Sequence, residues 1–319
     1  MVRTGRNRIR LTAAAFATTA ALATGAAVTP ATAATPQTQT QPEAQAQLQA
    51  QAQSLPLERN QRYVALGDSY ASGPAIPRQT DLTCLRSSAN YPSLIRKELG
   101  VTDFQDVSCM GARTDDMWRQ QRDTRRPPQL DAVRGDTRLV TISVGGNDID
   151  FDGILKRCTH PSSPIPDGNP CQRHFSQRGT DELDKRIDDT APKVAALLKA
   201  VHKKAPRARV AVVGYPAIIG DDARGCRESL RVADGDVPYL RGTLRRLNAM
   251  LRREAFAQGD LYVNTNATTA AHSACRPFAD RWIEGIRSTR ASAAFHPNAK
   301  GEKAMSEAVL DALVFGPKR

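Results

Sequence analysis

The chain has 319 residues, a formal net charge of +12 at pH 7, and only 5% aromatic side chains. Its arginines and lysines are scattered, without a dense run or interleaved aromatics, which argues against a stacking surface for nucleic acid. A basic balance of this kind favours instead an anionic lipid or cell-wall surface.

Residues 1–33 read as a secretory signal peptide. Arg3, Arg6, Arg8 and Arg10 form a basic start, Leu11 to Val28 is rich in Ala, Thr and Leu, and Ala31-Thr32-Ala33 offers a small-x-small cleavage site. Without those four arginines the net charge falls from +12 to +8. Residues 34–58 are Gln, Ala, Thr and Pro with almost nothing apolar to bury, the composition of a disordered spacer. The remainder, 59–319, is long enough for one large domain with a sizeable core.

That domain opens on Tyr63-Val64-Ala65-Leu66, a short apolar run suited to a buried parallel strand. It breaks at Gly67-Asp68-Ser69, residues of turns and helix N-caps. Ser69 is therefore expected where a strand gives way to a helix, at the carboxyl edge of a sheet, where ligands bind in open α/β folds. A helix follows over Asn90 to Leu99, then a strand from Phe104 to Ser108 ending in Cys109-Met110-Gly111-Ala112. Leu139 to Val144 is the clearest strand, β-branched and apolar, and it ends in Gly145-Gly146-Asn147-Asp148. Gly153 to Gly179, with four prolines, reads as an irregular insertion. Asp181 to Lys204 is a long amphipathic helix and Ala208 to Gly214 a strand. Val237 to Phe256 is a helix whose Leu240, Leu244, Leu247 and Leu251 repeat along one face. Leu261-Tyr262-Val263 is a last strand and Asn298 to Val314 a closing helix. Strands alternating with helices imply a parallel sheet covered on both faces.

Six cysteines behind an export signal imply disulfides. No C-x-x-C pair is present, which argues against a zinc ribbon. Of about fifteen possible connectivities, sequential pairing is the simplest: Cys84 with Cys109, Cys158 with Cys171, Cys226 with Cys275.

Three strand ends thus carry Ser69, Gly111 and Asn147, and a fourth group, His296, stands just before the last helix. A serine needs a base during attack, and histidine's pKa suits that task. The resulting oxyanion needs preorganised donors, which the N–H groups of Ser69 and Gly111 and the Asn147 amide can supply. No G-x-S-x-G elbow occurs, which argues against an α/β-hydrolase.

These stretches resemble the blocks of the SGNH hydrolases, also called GDSL esterases and lipases. Gly67-Asp68-Ser69-Tyr70 looks like the first, Val107 to Ala112 the second, Gly145 to Asp148 the third and Phe295-His296-Pro297-Asn298 the last. The resemblance covers about Arg62 to Phe315 and is most like the secreted bacterial branch with three disulfides. It implies a single-domain, three-layer α/β/α sandwich, flavodoxin-like, on a five-stranded parallel sheet. It implies no metal or other cofactor, Ser69 as nucleophile, His296 as base, and an oxyanion hole of Ser69, Gly111 and Asn147. The expected activity is hydrolysis of acyl esters by a secreted, monomeric enzyme. A phospholipase A-type activity and a carbohydrate O-acetyl esterase are the near alternatives, and a non-catalytic surface-binding module is a distant one.

One position departs from the pattern. The family usually has Asp three residues before the histidine, and here that residue is Ala293. The backbone carbonyl of Ala293 or an immediate neighbour is therefore expected to orient the imidazole in a Ser69–His296 dyad, with Asp280 or Glu284 as alternative partners. Trp118, Trp282 and Phe278 are candidates for the lining of an acyl pocket.

Overall fold

A computed structural model describes residues 59–316, apart from 122, 123, 161, 178 and 289. The segments read above as signal peptide and spacer lie outside the described residues.

Strand β1 (Arg62–Gly67) is buried along its whole length. Helix α1 (Ser69–Ser72) follows directly, because Asp68 accepts the N–H of Tyr70 as an N-cap and Gly73, with φ of 71°, closes the turn. A small hairpin of β2 (Gln79–Asp81) and β3 (Arg86–Ser87) leads to α2 (Tyr91–Leu99), capped by Asn90 and stopped by Gly100. Then come β4 (Phe104–Asp106), two 3-10 turns, and β5 (Thr137–Ser143).

The stretch read as an irregular insertion holds two short helices, α3 (Phe151–Cys158) and α4 (Pro170–Phe175). Asp150 caps the first, and Ile154 and Cys158 turn its apolar side inward. The clustered prolines mark the loop between the helices, with Pro170 itself opening α4, where its missing N–H costs nothing. The rest is α5 (Glu182–Lys204), β6 (Arg209–Val213), α6 (Cys226–Leu230), α7 (Val237–Ala257), β7 (Leu261–Val263), α8 (Thr265–Thr269) and α9 (Ala299–Phe315).

Five of the strands form one parallel sheet in the order β4-β1-β5-β6-β7. Alternate residues of each strand face opposite sides. Val64, Leu66, Val140, Ile142 and Val212 enter the core shared with α5 and α7. Tyr63, Ala65, Leu139, Ala211 and Val213 enter the one shared with α2 and α9. The sheet is thus the middle of three layers in a single domain. The chain leaves β1 outward to β4 and returns to β5 on the other side of β1. The crevice at such a reversal is the expected ligand site of an open α/β sheet, and it lies between the segments carrying Ser69 and Asn147.

The three disulfides are Cys84–Cys109, Cys158–Cys171 and Cys226–Cys275, the sequential scheme. The first ties the segment after the hairpin's first strand to the turn after β4, one residue before Met110 and two before Gly111.

Candidate active site

Gly67 has a positive φ of 149°, and a Cβ there would lie 2.6 Å from the Ser143 carbonyl oxygen of the neighbouring strand. Only glycine lets β1 turn this close to β5. The turn is held by the side-chain amide of Gln129, which accepts the Gly67 N–H at 2.8 Å and donates to the Gly67 carbonyl at 2.9 Å. Ser69 is thereby fixed as the first residue of α1, with its hydroxyl turned to the loop that precedes α9.

That loop presents His296. Phe295 has a left-handed φ of 65°, and its carbonyl accepts the Tyr70 hydroxyl at 2.9 Å. The Tyr70 ring also stacks on the imidazole, with centroids 4.7 Å apart. The imidazole Nε2 lies 2.8 Å from the Ser69 hydroxyl oxygen, and Nδ1 lies 2.7 Å from the Ala294 carbonyl oxygen. A carbonyl can only accept, so Nδ1 carries the proton and the lone pair of Nε2 faces Ser69. Burial pushes the imidazole pKa down to about 4, against a smaller upward pull from the Ala294 carbonyl.

The carbonyl on Nδ1 is that of Ala294, the immediate neighbour that the expectation allowed, and not of Ala293 itself. The left-handed Phe295 reverses the chain, so the carbonyl two residues before the histidine meets the ring. The Ala293 carbonyl instead accepts the backbone N–H of His296 at 3.2 Å. Neither proposed carboxylate occupies this place. The Glu284 carboxylate is buried, accepts from the Asn298 amide at 2.9 Å, and pairs with Arg281 at 3.1 Å. Asp280 is exposed, and its backbone oxygen meets the His272 ring.

On the other side of Ser69, β5 runs into Gly145, with φ of 118°, then Gly146 and Asn147. The Asn147 amide donates one hydrogen to the Ala112 carbonyl at 2.9 Å. This ties the turn after β5 to the turn after β4, whose Cys109 N–H donates to the Gly67 carbonyl at 3.0 Å. Gly111 stands between those two ties, exposed, with a left-handed φ of 79°. The same two turns are joined again where Asp148 accepts the N–H and hydroxyl of Thr114 at 3.0 and 2.5 Å. The turns bearing Ser69, Gly111 and Asn147 are thus hydrogen-bonded into one edge.

Ser69 and Asn147 open onto a cleft enclosing about 830 Å³ of empty space, its open mouth included. Ile149, Ile154, Ile218, Leu230, Leu244 and Leu247 make its walls almost wholly apolar. The three aromatics expected there are elsewhere. Trp118 is exposed beside Met117 and Leu130, Trp282 stacks on His272 with centroids 3.6 Å apart, and Phe278 is exposed beneath Arg290. The sequence signal for the true lining was the leucine stripe of α7, which reads as ordinary core. Three buried polar residues of the site also escaped the sequence reading: Gln129, Tyr215 and Asn248.

Residues 65–304 match the sequence profile of the GDSL-like lipase/acylhydrolase family. The chain is 39% identical to Lipase 2 of Streptomyces coelicolor over 256 residues, covering 79% of this chain and 85% of that one. It is 31% identical to an esterase of Streptomyces scabiei, over 78% of this chain and 85% of that one. The crystal structure of phospholipase A1 from Streptomyces albidoflavus NA297 superimposes with a TM-score of 0.64 at 25% identity, covering 79% of this chain and 99% of that one. The chain belongs to the GDSL-like lipase/acylhydrolase family and is a carboxylic-ester hydrolase.

Proposed function

We propose that the enzyme cleaves acyl esters through an acyl-enzyme on Ser69. The observation that carries this reading is the Ser69–His296 pair, 2.8 Å apart, with Ser69 at the wall of an apolar cleft. Ser69 Oγ attacks the ester carbonyl carbon while Nε2 of His296 takes its proton. The oxyanion is met by the N–H groups of Ser69 and Gly111 and by the second hydrogen of the Asn147 amide. Collapse expels the alcohol, which takes the proton from His296. Water, deprotonated by the same imidazole, then releases the acid. The Ala294 carbonyl holds Nδ1–H throughout, so the base keeps one tautomer without a carboxylate.

The cleft favours esters whose acyl part is long enough to fill it. Burial of each methylene is worth about 0.8 kcal/mol, so a preference should build steadily with chain length. The export signal read in residues 1–33 and the three disulfides support an enzyme that works outside the cell. A phospholipid is the second reading, favoured by the likeness to a phospholipase A1; it presents the same acyl chain with a different alcohol.

A series of p-nitrophenyl esters from acetate to palmitate, with a phospholipid and an acetylated xylan alongside, tests this. The expected result is kcat/KM rising from acetate through octanoate, with the xylan a poor substrate. A maximum at acetate would overturn the acyl-cleft reading. Asn147→Ala is expected to lower kcat by about 10²–10³-fold with KM little changed, because the amide acts on charge that develops only in the transition state. Steady-state kinetics on the octanoate ester check it, and a change confined to KM would make Asn147 a substrate-binding residue instead.

A further inference from the structure

The hydroxyl of Tyr215 bridges the turn of Ser69 and the turn of Asn147. Tyr215 follows β6 and is buried. Its oxygen accepts the N–H of Gly146 at 2.7 Å, and its proton goes to Oδ2 of Asp68 at 2.5 Å. That length belongs to a hydroxyl bonded to a carboxylate. The other carboxylate oxygen accepts the N–H of Tyr70 at 2.9 Å. One hydroxyl therefore spans the residue before Ser69 and the residue before Asn147.

The tyrosine is itself clamped. The Asn248 side chain on α7 accepts its N–H at 2.8 Å and donates to its carbonyl at 2.9 Å. Tyr70 meets the ring edge-on at 5.0 Å. A Cβ at Gly146 would lie 3.0 Å from the tyrosine oxygen, so a larger residue would have to push the ring back by a few tenths of an ångström.

We infer that Tyr215, clamped by Asn248 and directed by the Asp68 carboxylate, is a positioning residue that fixes the distance between the nucleophile and the Asn147 oxyanion donor. The inference rests on the roles proposed above for Ser69 and Asn147.

The bridge has a polarity. The tyrosine oxygen accepts from Gly146, so the tyrosine must donate to Asp68, and Asp68 must be a carboxylate. A protonated Asp68 offers the tyrosine a second donor, leaving one of the three hydrogens without an acceptor in a buried place. Burial pushes the Asp68 carboxyl up to about 7, partly offset by its bonds from Tyr215 and Tyr70. The charged and titratable groups facing it are Tyr215, Tyr70 and, at longer range, the Asp148 carboxylate, which raises it further. Asp148 is in turn held by Thr114 and lies 3.9 Å from Lys193. His296, held near 4, stacks on the far partner Tyr70. The bridge is therefore expected to fail as Asp68 takes up a proton, giving kcat an acid limb that lies above any set by the catalytic base.

The test uses the folded enzyme with p-nitrophenyl butyrate. Tyr215→Phe should lower kcat by about 10–100-fold, the scale of a displacement of up to an ångström at a catalytic group, with KM nearly unchanged. In an Asn147→Ala background the same substitution should cost far less, because the bridge acts through Asn147. Asp68→Asn should mimic the protonated form, with low kcat and no limb between pH 8 and 5. Wild-type kcat in Tyr215→Phe, full additivity with Asn147→Ala, or an unchanged limb in Asp68→Asn would each overturn the inference. Turnover by folded Ser69→Ala would instead remove the nucleophile reading beneath it.

Discussion

Ser69→Ala is expected to lower kcat on any ester by about 10⁴–10⁶-fold, the range seen when a serine nucleophile is removed from a hydrolase. KM should change little, because most of the wall of the cleft proposed to receive the acyl chain comes from other residues. Stability should hardly move. Ser69 lies at the start of α1 with Asp68 and not Ser69 supplying the cap, and its hydroxyl is bonded to His296 alone among the described residues. A fluorophosphonate should attach to Ser69 in the wild type, as read by peptide mass, and should leave the variant unlabelled. Turnover within about tenfold of wild type by the folded variant would exclude the acyl-enzyme route.

His296→Gln is expected to cost about as much, since nucleophile and base act as a unit and their losses do not add. Combining it with Ser69→Ala should therefore give an enzyme no slower than either single variant. The dyad is tested from the other side by the carboxylates. Asp280→Asn should leave kcat nearly intact, because the Ala294 carbonyl already satisfies Nδ1. Glu284→Gln should lower the melting temperature, since it weakens a buried pair with Arg281, yet leave kcat per folded molecule nearly unchanged. A fall of around 10⁴ from either substitution, the size seen when a triad Asp is neutralised, would show that a carboxylate reaches His296 during turnover.

The legible parts of this molecule were the local ones. A strand that ends in Gly-Asp-Ser or Gly-Gly-Asn declares both its burial and its turn within a few residues, and three such strand ends with one loop before a helix pointed to Ser69, Gly111, Asn147 and His296. Which carbonyl near Ala293 would meet His296 was not legible, because it depends on the left-handed Phe295, a conformation that phenylalanine does not advertise. Trp118, Trp282 and Phe278 were poor guides because bulk shows that a side chain wants cover, not where it finds it. The α7 leucines hid the cleft for a related reason: one stripe serves as core along part of its length and as pocket wall elsewhere. Tyr215 was invisible because its partner is 147 residues away, and only the assembled sheet brings them together.

The distance along the chain between the two central groups has a consequence for how the enzyme is born. Ser69 and His296 are 227 residues apart, and His296 is delivered by the loop that runs into the last helix. That helix is itself latched to α2 by Glu302, which accepts the Tyr91 N–H at 2.8 Å. In the mechanism proposed for this enzyme, the serine has no base until the segment bearing His296 has joined the fold. On that mechanism, a chain whose α9 has not docked would carry the nucleophile without hydrolytic power.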